Sequence, residues 1–271
     1  MSYVPEFVAL YEIIPFIEYL PLNNATIRDA VEIYYNFSCL EYIEYEEDEI
    51  TYNAYKVVIM KYGEIEEWNT SQVTDMSTLF CDLHYFNPPI GKWDTSNVTN
   101  MSSMFEYAKH FNQPIGGWNT SSVTNMVDIF LEADNFNQPI GGWDVSNVTT
   151  MRGMFCRAEN FNQPIEDWDT SKVTNMNSMF CRAKSFNQPI GGWDTSKVTD
   201  MSFMFYRAEN FNQPIEDWDT SKVTNMNSMF CRAKSFNQSI REWDTSKVTR
   251  IERIFYKAGS FNPENAPWYH K

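Results

Sequence analysis

Tryptophan obeys one rule in this chain: Trp68, Trp93, Trp118, Trp143, Trp168, Trp193, Trp218, Trp243 and Trp268 each follow the last by 25 residues, and no tryptophan lies outside the series. Sixteen of the twenty phenylalanines keep the same period, at position 12 after each Trp (Phe80 through Phe255) and position 18 (Phe86 through Phe261). A period of this length marks a unit that cannot bury its apolar face alone and stacks on copies of itself. Eight such units follow Trp68. Residues 157–188 recur unchanged as 207–238, a copy displaced by two units. With 43% apolar and 16% aromatic residues the chain has ample core material, which excludes a disordered class.

Spacing within one unit predicts its parts. Positions 8, 11, 12 and 15, as in Met101, Met104, Phe105 and Ala108, have the separation of one helical face and predict a short helix. An Asn or Asp before it in six coils (Asp75, Asn100, Asn125, Asn175, Asp200, Asn225) reads as its N-cap. Ser, Val and Thr at positions 3, 5 and 6 of every coil predict a short parallel strand with Val inward. The run Phe111 to Gly116 closes the coil, Pro114 blocking ladder bonds and Gly116 permitting a turn. Asparagine at position 19 of all eight coils, Asn87 to Asn262, predicts a ladder that satisfies backbone groups of its own and neighbouring coils. The expected fold class is therefore an α/β repeat, eight 25-residue strand-plus-short-helix coils over 68–267 with a tail at 268–271.

The pattern W-D-T-S-x-V-T-x-M-S-x-M-F-x-x-A-x-x-F-N-Q-P-I-G resembles the repeat of BspA-like leucine-rich-repeat surface proteins, over residues 68 to about 265. Lys61 to Ile65, leading into Trp68, resembles the entry to that family's first repeat. The family is known in bacterial surface proteins, giant DNA viruses and algae. The resemblance implies a right-handed, leucine-rich-repeat-like solenoid without enzymatic activity. No export signal is legible here, so a giant-virus or intracellular member fits the resemblance better than a surface adhesin.

Both ends of a stack need covers. Residues 24–36 place Ile27, Ala30, Val31 and Tyr34 on one helical face behind a cap at Asn24, and Tyr52 to Tyr62 form a second helical stretch ending at Gly63. Glu41 to Glu49 carries six acidic residues in nine and reads as a solvated loop or exposed strand rather than a binding site. Residues 1–67 are thus expected to be a mostly helical, acidic N-terminal cap, whose first twenty residues, with two Pro-interrupted apolar stretches, are a second place for a partner. In the last coil Ile251, Ile254, Arg250, Glu252 and Arg253 replace the consensus, as a polar terminal repeat requires.

Net charge is −15, with 14 acidic against 3 basic residues in 1–67 and 22 against 18 in 68–271. An acidic chain repels a phosphate backbone, so nucleic acid is not the expected partner. The N-terminus has no basic region before its apolar stretches, and Pro15 and Pro21 interrupt them, so neither a signal peptide nor a membrane span is expected, and an intracellular, cytoplasmic setting is. Three histidines (His84, His110, His270) and five cysteines form no metal or catalytic constellation, so no cofactor, metal or catalytic activity is expected. Cys156 and Cys181 share position 13 in adjacent coils, and helices about 8–10 Å apart would keep them unbridged as free thiols. Two cationic stripes mark the C-terminal half: Lys172, Lys197, Lys222 and Lys247 at position 4, and Arg157, Arg182, Arg207 and Arg232 at position 14, continued by Lys257. An acidic stripe at position 1, Asp94 and Asp144 to Asp244, opposes them. These lysines and arginines are the candidate contacts for another protein, on a chain expected to be a monomer more readily than a homo-oligomer. The competing expectations are a self-assembling structural component and a polyanion-binding protein.

Overall fold

A computed structural model describes residues 19–40 and 49–270. Helix α1 (Thr26–Leu40) and helix α2 (Glu49–Tyr62) are followed by a 3-10 turn at Ile65–Glu67, the repeated coils, and 3-10 turns at Pro263–Asn265 and Pro267–His270. The first eighteen residues and 41–48, and with them nearly all of the expected N-terminal recruitment segment and of the acidic loop, lie outside the described residues. No helix among the described residues is long and apolar enough to cross a membrane.

The two N-terminal helices form where hydrophobic periodicity predicts them. Ile27, Ala30 and Val31 are buried, and Tyr34 packs against the core. The cap differs by one residue, because Asn23 rather than Asn24 accepts from the amides of Ala25 (3.0 Å) and Thr26 (3.1 Å). Asn24 turns instead to the first coil, where its Oδ1 accepts from Thr74 N (2.8 Å) and Asp75 N (3.1 Å). Arg28 adds a bond to the Ser77 carbonyl at 2.7 Å, so α1 occupies the place a preceding coil would hold. α2 ends at Gly63, whose φ of +78° suits glycine at a helix terminus.

The α/β strand-plus-helix solenoid expected from the spacing is not what the chain forms. Among the described residues the coils contain neither α-helix nor named strand; adjacent coils are joined at position 7 by isolated parallel bridges such as Asp75 to Asn100 and Asn175 to Asp200. Positions 8–15 form consecutive turns instead of a helix. Position 10 (φ 54° to 60°) and position 14 (φ 56° to 63°) are left-handed in every coil, with side chains as varied as Ser103, Phe203, Arg157 and Tyr107. Amides at odd positions close turns within the coil, as from Met104 to the Met101 carbonyl, while even ones cross to the next coil, as from Phe105 to the Ile129 carbonyl at 2.9 Å.

Coil spacing explains the correction. Phe105 and Phe130 rings lie 5.5 Å apart, Phe111 and Phe136 6.0 Å, and Trp118 and Trp143 6.4 Å. A stacked pair of α-helices needs about 8–10 Å. Rungs this close on the faces carrying both aromatic columns leave no room for helices. Each crossing hydrogen bond offsets part of the roughly 1–2 kcal/mol that a left-handed non-glycine residue costs.

The core consists of side-chain columns. Within a coil the two Phe rings stack at 3.8–4.0 Å, as in Phe255 with Phe261 and Phe155 with Phe161. Trp168 is 4% exposed, and its indole N–H donates to the Ile140 carbonyl at 3.3 Å. The asparagine ladder is present: Asn162 Oδ1 accepts from Asn187 N at 2.9 Å and from Gln188 Nε2 at 3.0 Å, and the pattern recurs through Asn262. The Asn and Asp residues at position 7, read as helix caps, do accept a local amide, but in a tight turn: Asn100 Oδ1 takes the Ser102 N–H at 3.1 Å.

Candidate functional site

Consecutive turns at positions 8–15 present one side chain of each type per rung, so charge along that face is written by position. Position 14 reads Asp82, Tyr107, Glu132, then Arg157, Arg182, Arg207, Arg232 and Lys257. The sign changes between the third and fourth coils, where Arg157 pairs with Glu132. Beyond that junction all five rungs are cationic.

Two neighbouring ladders behave differently. At position 16 charges alternate from Glu159 to Lys234 and pair across coils, Lys184 with Glu159 at 2.6 Å and Lys234 with Glu209 at 2.7 Å. The lysines at position 4 are exposed and stand near the position 1 carboxylates, Asp169 feeling both Lys172 and Lys197. Lys172 also donates to Asn147 Oδ1 at 2.7 Å. The expected opposition of acidic and cationic stripes therefore applies to the lysines, while Arg182, Arg207, Arg232 and Lys257 make no ion pair among the described residues, although Glu209 and Glu252 line the same hollows. Like charges one rung apart repel by about 0.8 kcal/mol per pair even when fully solvated.

Aromatic rings hold this unbalanced ladder in place. Tyr206 lies between Arg182 (5.9 Å) and Arg207 (5.5 Å), and Tyr256 lies beside Arg253 (5.9 Å) and Lys257 (5.4 Å). Arg207 Nε is buried without a hydrogen-bond partner. Arg157, Arg182 and Arg232 line an open groove of about 690 Å³ together with Tyr206, Tyr256 and Arg253. A second hollow of about 250 Å³ is lined by Arg207, Arg232, Lys234 and Lys257 with Glu209. The structure thus brings the four predicted arginines to one face and leaves the four predicted lysines off the groove.

A family model described as Mycoplasma protein of unknown function, DUF285, matches residues 50–163, 115–197, 135–218 and 188–271. The chain belongs to this DUF285 family. The overlapping matches are what a sliding repeat produces, and they begin inside α2. No curated protein and no solved structure matches the chain. Membership in DUF285 shows a repeat protein without attaching a reaction, ligand or partner to it.

Sequence reasoning passed over Tyr206, Tyr256 and Arg253 in this DUF285 chain. Tyr206 stands at position 13, where other coils carry cysteine, and Arg253 lies in the divergent last coil, where charge reads as an edge device. The available signal was that an aromatic residue at position 13 precedes a basic one at position 14 in two of the last three coils, Tyr206 with Arg207 and Tyr256 with Lys257. No group of three or more potential metal ligands occurs among the described residues.

Proposed function

We propose that this chain is a non-catalytic, intracellular repeat scaffold that binds an acidic segment of another protein along the position 14 face of its C-terminal coils. The BspA-like resemblance of the repeat belongs to the same proposal, as does the division into an N-terminal cap at 1–67 and a repeat region at 68–267. The observation that carries the reading is five consecutive cationic rungs of which only Arg157 has an ion-pair partner among the described residues, beside lysines at position 16 that pair with the preceding coil's glutamate. An extended carboxylate-rich strand would relieve the repulsion, and bidentate guanidinium contacts one rung apart would follow it. Tyr206 and Tyr256 add the amphipathic rings typical of protein-binding surfaces.

The test is fluorescence anisotropy of a labelled polyglutamate peptide with the full chain. Binding is expected to weaken with salt, to disappear when Arg157, Arg182, Arg207 and Arg232 become Glu, and to survive when Lys172, Lys197, Lys222 and Lys247 become Glu. Equal loss in both variants, or none, sinks the assignment to this face, and tighter capture of a sulfated polysaccharide would favour the polyanion reading.

One observation favours self-association as a second reading. Asp82 and Glu132 occupy the same ladder as the arginines, so the face is acidic in its first coils and basic in its last, the distribution a two-fold pair of copies needs. Sedimentation velocity at low and high salt separates a dimer from the monomer that the first reading requires.

A further inference from the structure

Cysteine recurs at position 13 as Cys81, Cys156, Cys181 and Cys231. Cys156 and Cys181 alone among these occupy adjacent rungs; Cys81 is followed by Glu106, and Cys231 lies between Tyr206 and Tyr256. The coil spacing that excludes helices also removes the separation expected to keep this pair apart. Phe155 and Phe180, one residue before the two cysteines, stack at 5.6 Å, and Arg157 N, one residue after the first, donates to the Cys181 carbonyl at 2.7 Å. In-register rungs sit about 4.8 Å apart with side chains parallel, within the roughly 4.4–6.8 Å Cα separation a disulfide spans. Both cysteines are free and partly exposed, and both line the arginine groove.

We propose that Cys156 and Cys181 are a dithiol oxidation site whose substrate class is a small peroxide and whose product is a disulfide joining the fourth and fifth coils. The Cys181 sulfur attacks one peroxide oxygen, the O–O bond breaks, and a Cys181 sulfenic acid forms with release of water. The Cys156 sulfur then attacks the Cys181 sulfur, the S–O bond breaks, and a second water leaves. Two thiols and one hydrogen peroxide become one disulfide and two waters. The direction of attack follows the local field: the Cys156 thiol donates toward Cys181, and with Arg182, Arg157 and Arg207 nearby this lowers the Cys181 pKa against the opposing effect of burial, while Cys156 is raised. Cys81, as partly exposed as this pair, is pushed up to about 11 by partial burial and by the neighbouring Asp82 and Glu106 carboxylates.

The experiment treats the reduced full-length chain with hydrogen peroxide, alkylates the remaining thiols, and maps peptides without reductant. Because 157–188 and 207–238 are identical, peptides carrying Cys181 and Cys231 coincide, so the mapping uses a Cys231→Ser chain. Cys156 and Cys181 are expected to leave the alkylated pool together, at least tenfold faster than Cys81, and to return as one cross-linked pair within a single chain. In Cys156→Ser, Cys181 is expected to stop at a sulfenic acid that dimedone traps. Recovery of Cys156 fully alkylated after Cys181 is consumed, linkage of either to another cysteine, or oxidation no faster than at Cys81 overturns the proposal. The wild-type chain, which needs no substitution to fold, supplies the rate comparison through the loss of the Cys156 peptide against that of Cys81. None of these outcomes depends on whether the groove binds an acidic partner.

Discussion

A tryptophan inside this stack packs against the indole of a neighbouring coil and a phenylalanine ring. Trp168 lies 6.3 Å from Trp193 and 6.2 Å from Phe155, and its one polar atom is satisfied by the Ile140 carbonyl. Truncation removes a large apolar volume between rungs whose spacing is pinned by backbone bonds, so the cavity cannot collapse. Trp168→Ala is expected to destabilise the chain by about 3–5 kcal/mol. Trp268 makes the equivalent bond, to the Ile240 carbonyl at 2.8 Å, but is only partly buried. Trp268→Ala is therefore expected to cost clearly less. Urea titrations of both variants followed by circular dichroism check the ordering, and equal losses would refute a column whose strength comes from neighbours on both sides.

At the scale of the coil, position 1 side chains build a turn. Asp169 Oδ1 accepts the Ser171 amide at 3.0 Å, and Asp94, Asp144, Asp194, Asp219 and Asp244 do the same for their serines. The serine hydroxyl and then the serine amide hold each of these carboxyls below the usual carboxylate range. A depressed folded pKa contributes stability that is present above the unfolded value, near 3.9, and is lost as pH falls through the folded value. Burial raises Asp128 and Asp134, which act with the opposite sign, but six turns outnumber these two. Stability measured by urea is thus expected to fall as pH drops from about 5 to about 2.5. Converting Asp144, Asp169, Asp194 and Asp219 to Asn should flatten that fall, since Asn69 and Asn119 already build the same turn; an unchanged acid slope would show that other carboxylates carry it. These turns also show what was legible. The period, the buried positions, the asparagine ladder and both N-terminal helices could be read from residue spacing, because burial repeats wherever packing repeats. The helix at positions 8–15 could not be rejected that way, since alternating turns bury positions 8, 11, 12 and 15 as a helix would. What decides between them is the distance to the next coil, which no single coil encodes. The same missing distance hid the Cys156 and Cys181 pair, and the groove stayed hidden until Tyr206 and Arg182 were placed on one face.

Over the whole molecule, stability is carried by contacts between neighbours, so length becomes a variable that can be edited. Residues 157–188 and 207–238 are identical, so deleting 157–206 removes two coils and leaves every junction contact of Cys156 facing a native sequence. The shortened chain keeps α1 and the Asn24 and Arg28 contacts on its first coil, and the polar last coil at its other edge. It is expected to unfold cooperatively at lower urea than the parent, with near-ultraviolet signals of stacked indoles retained. Aggregation, or loss of the cooperative transition, would show that the coils are not interchangeable and that position along the stack carries structural information of its own. The excision also reconnects chemistry, because Cys231 then occupies the rung of Cys181. If adjacency of rungs is what makes the thiols a pair, Cys156 and Cys231, which react separately in the parent, become linked under peroxide in the shortened chain. Failure of that new link in a cooperatively folded product would mean that the pairing needs more than the rung spacing and the flanking arginines.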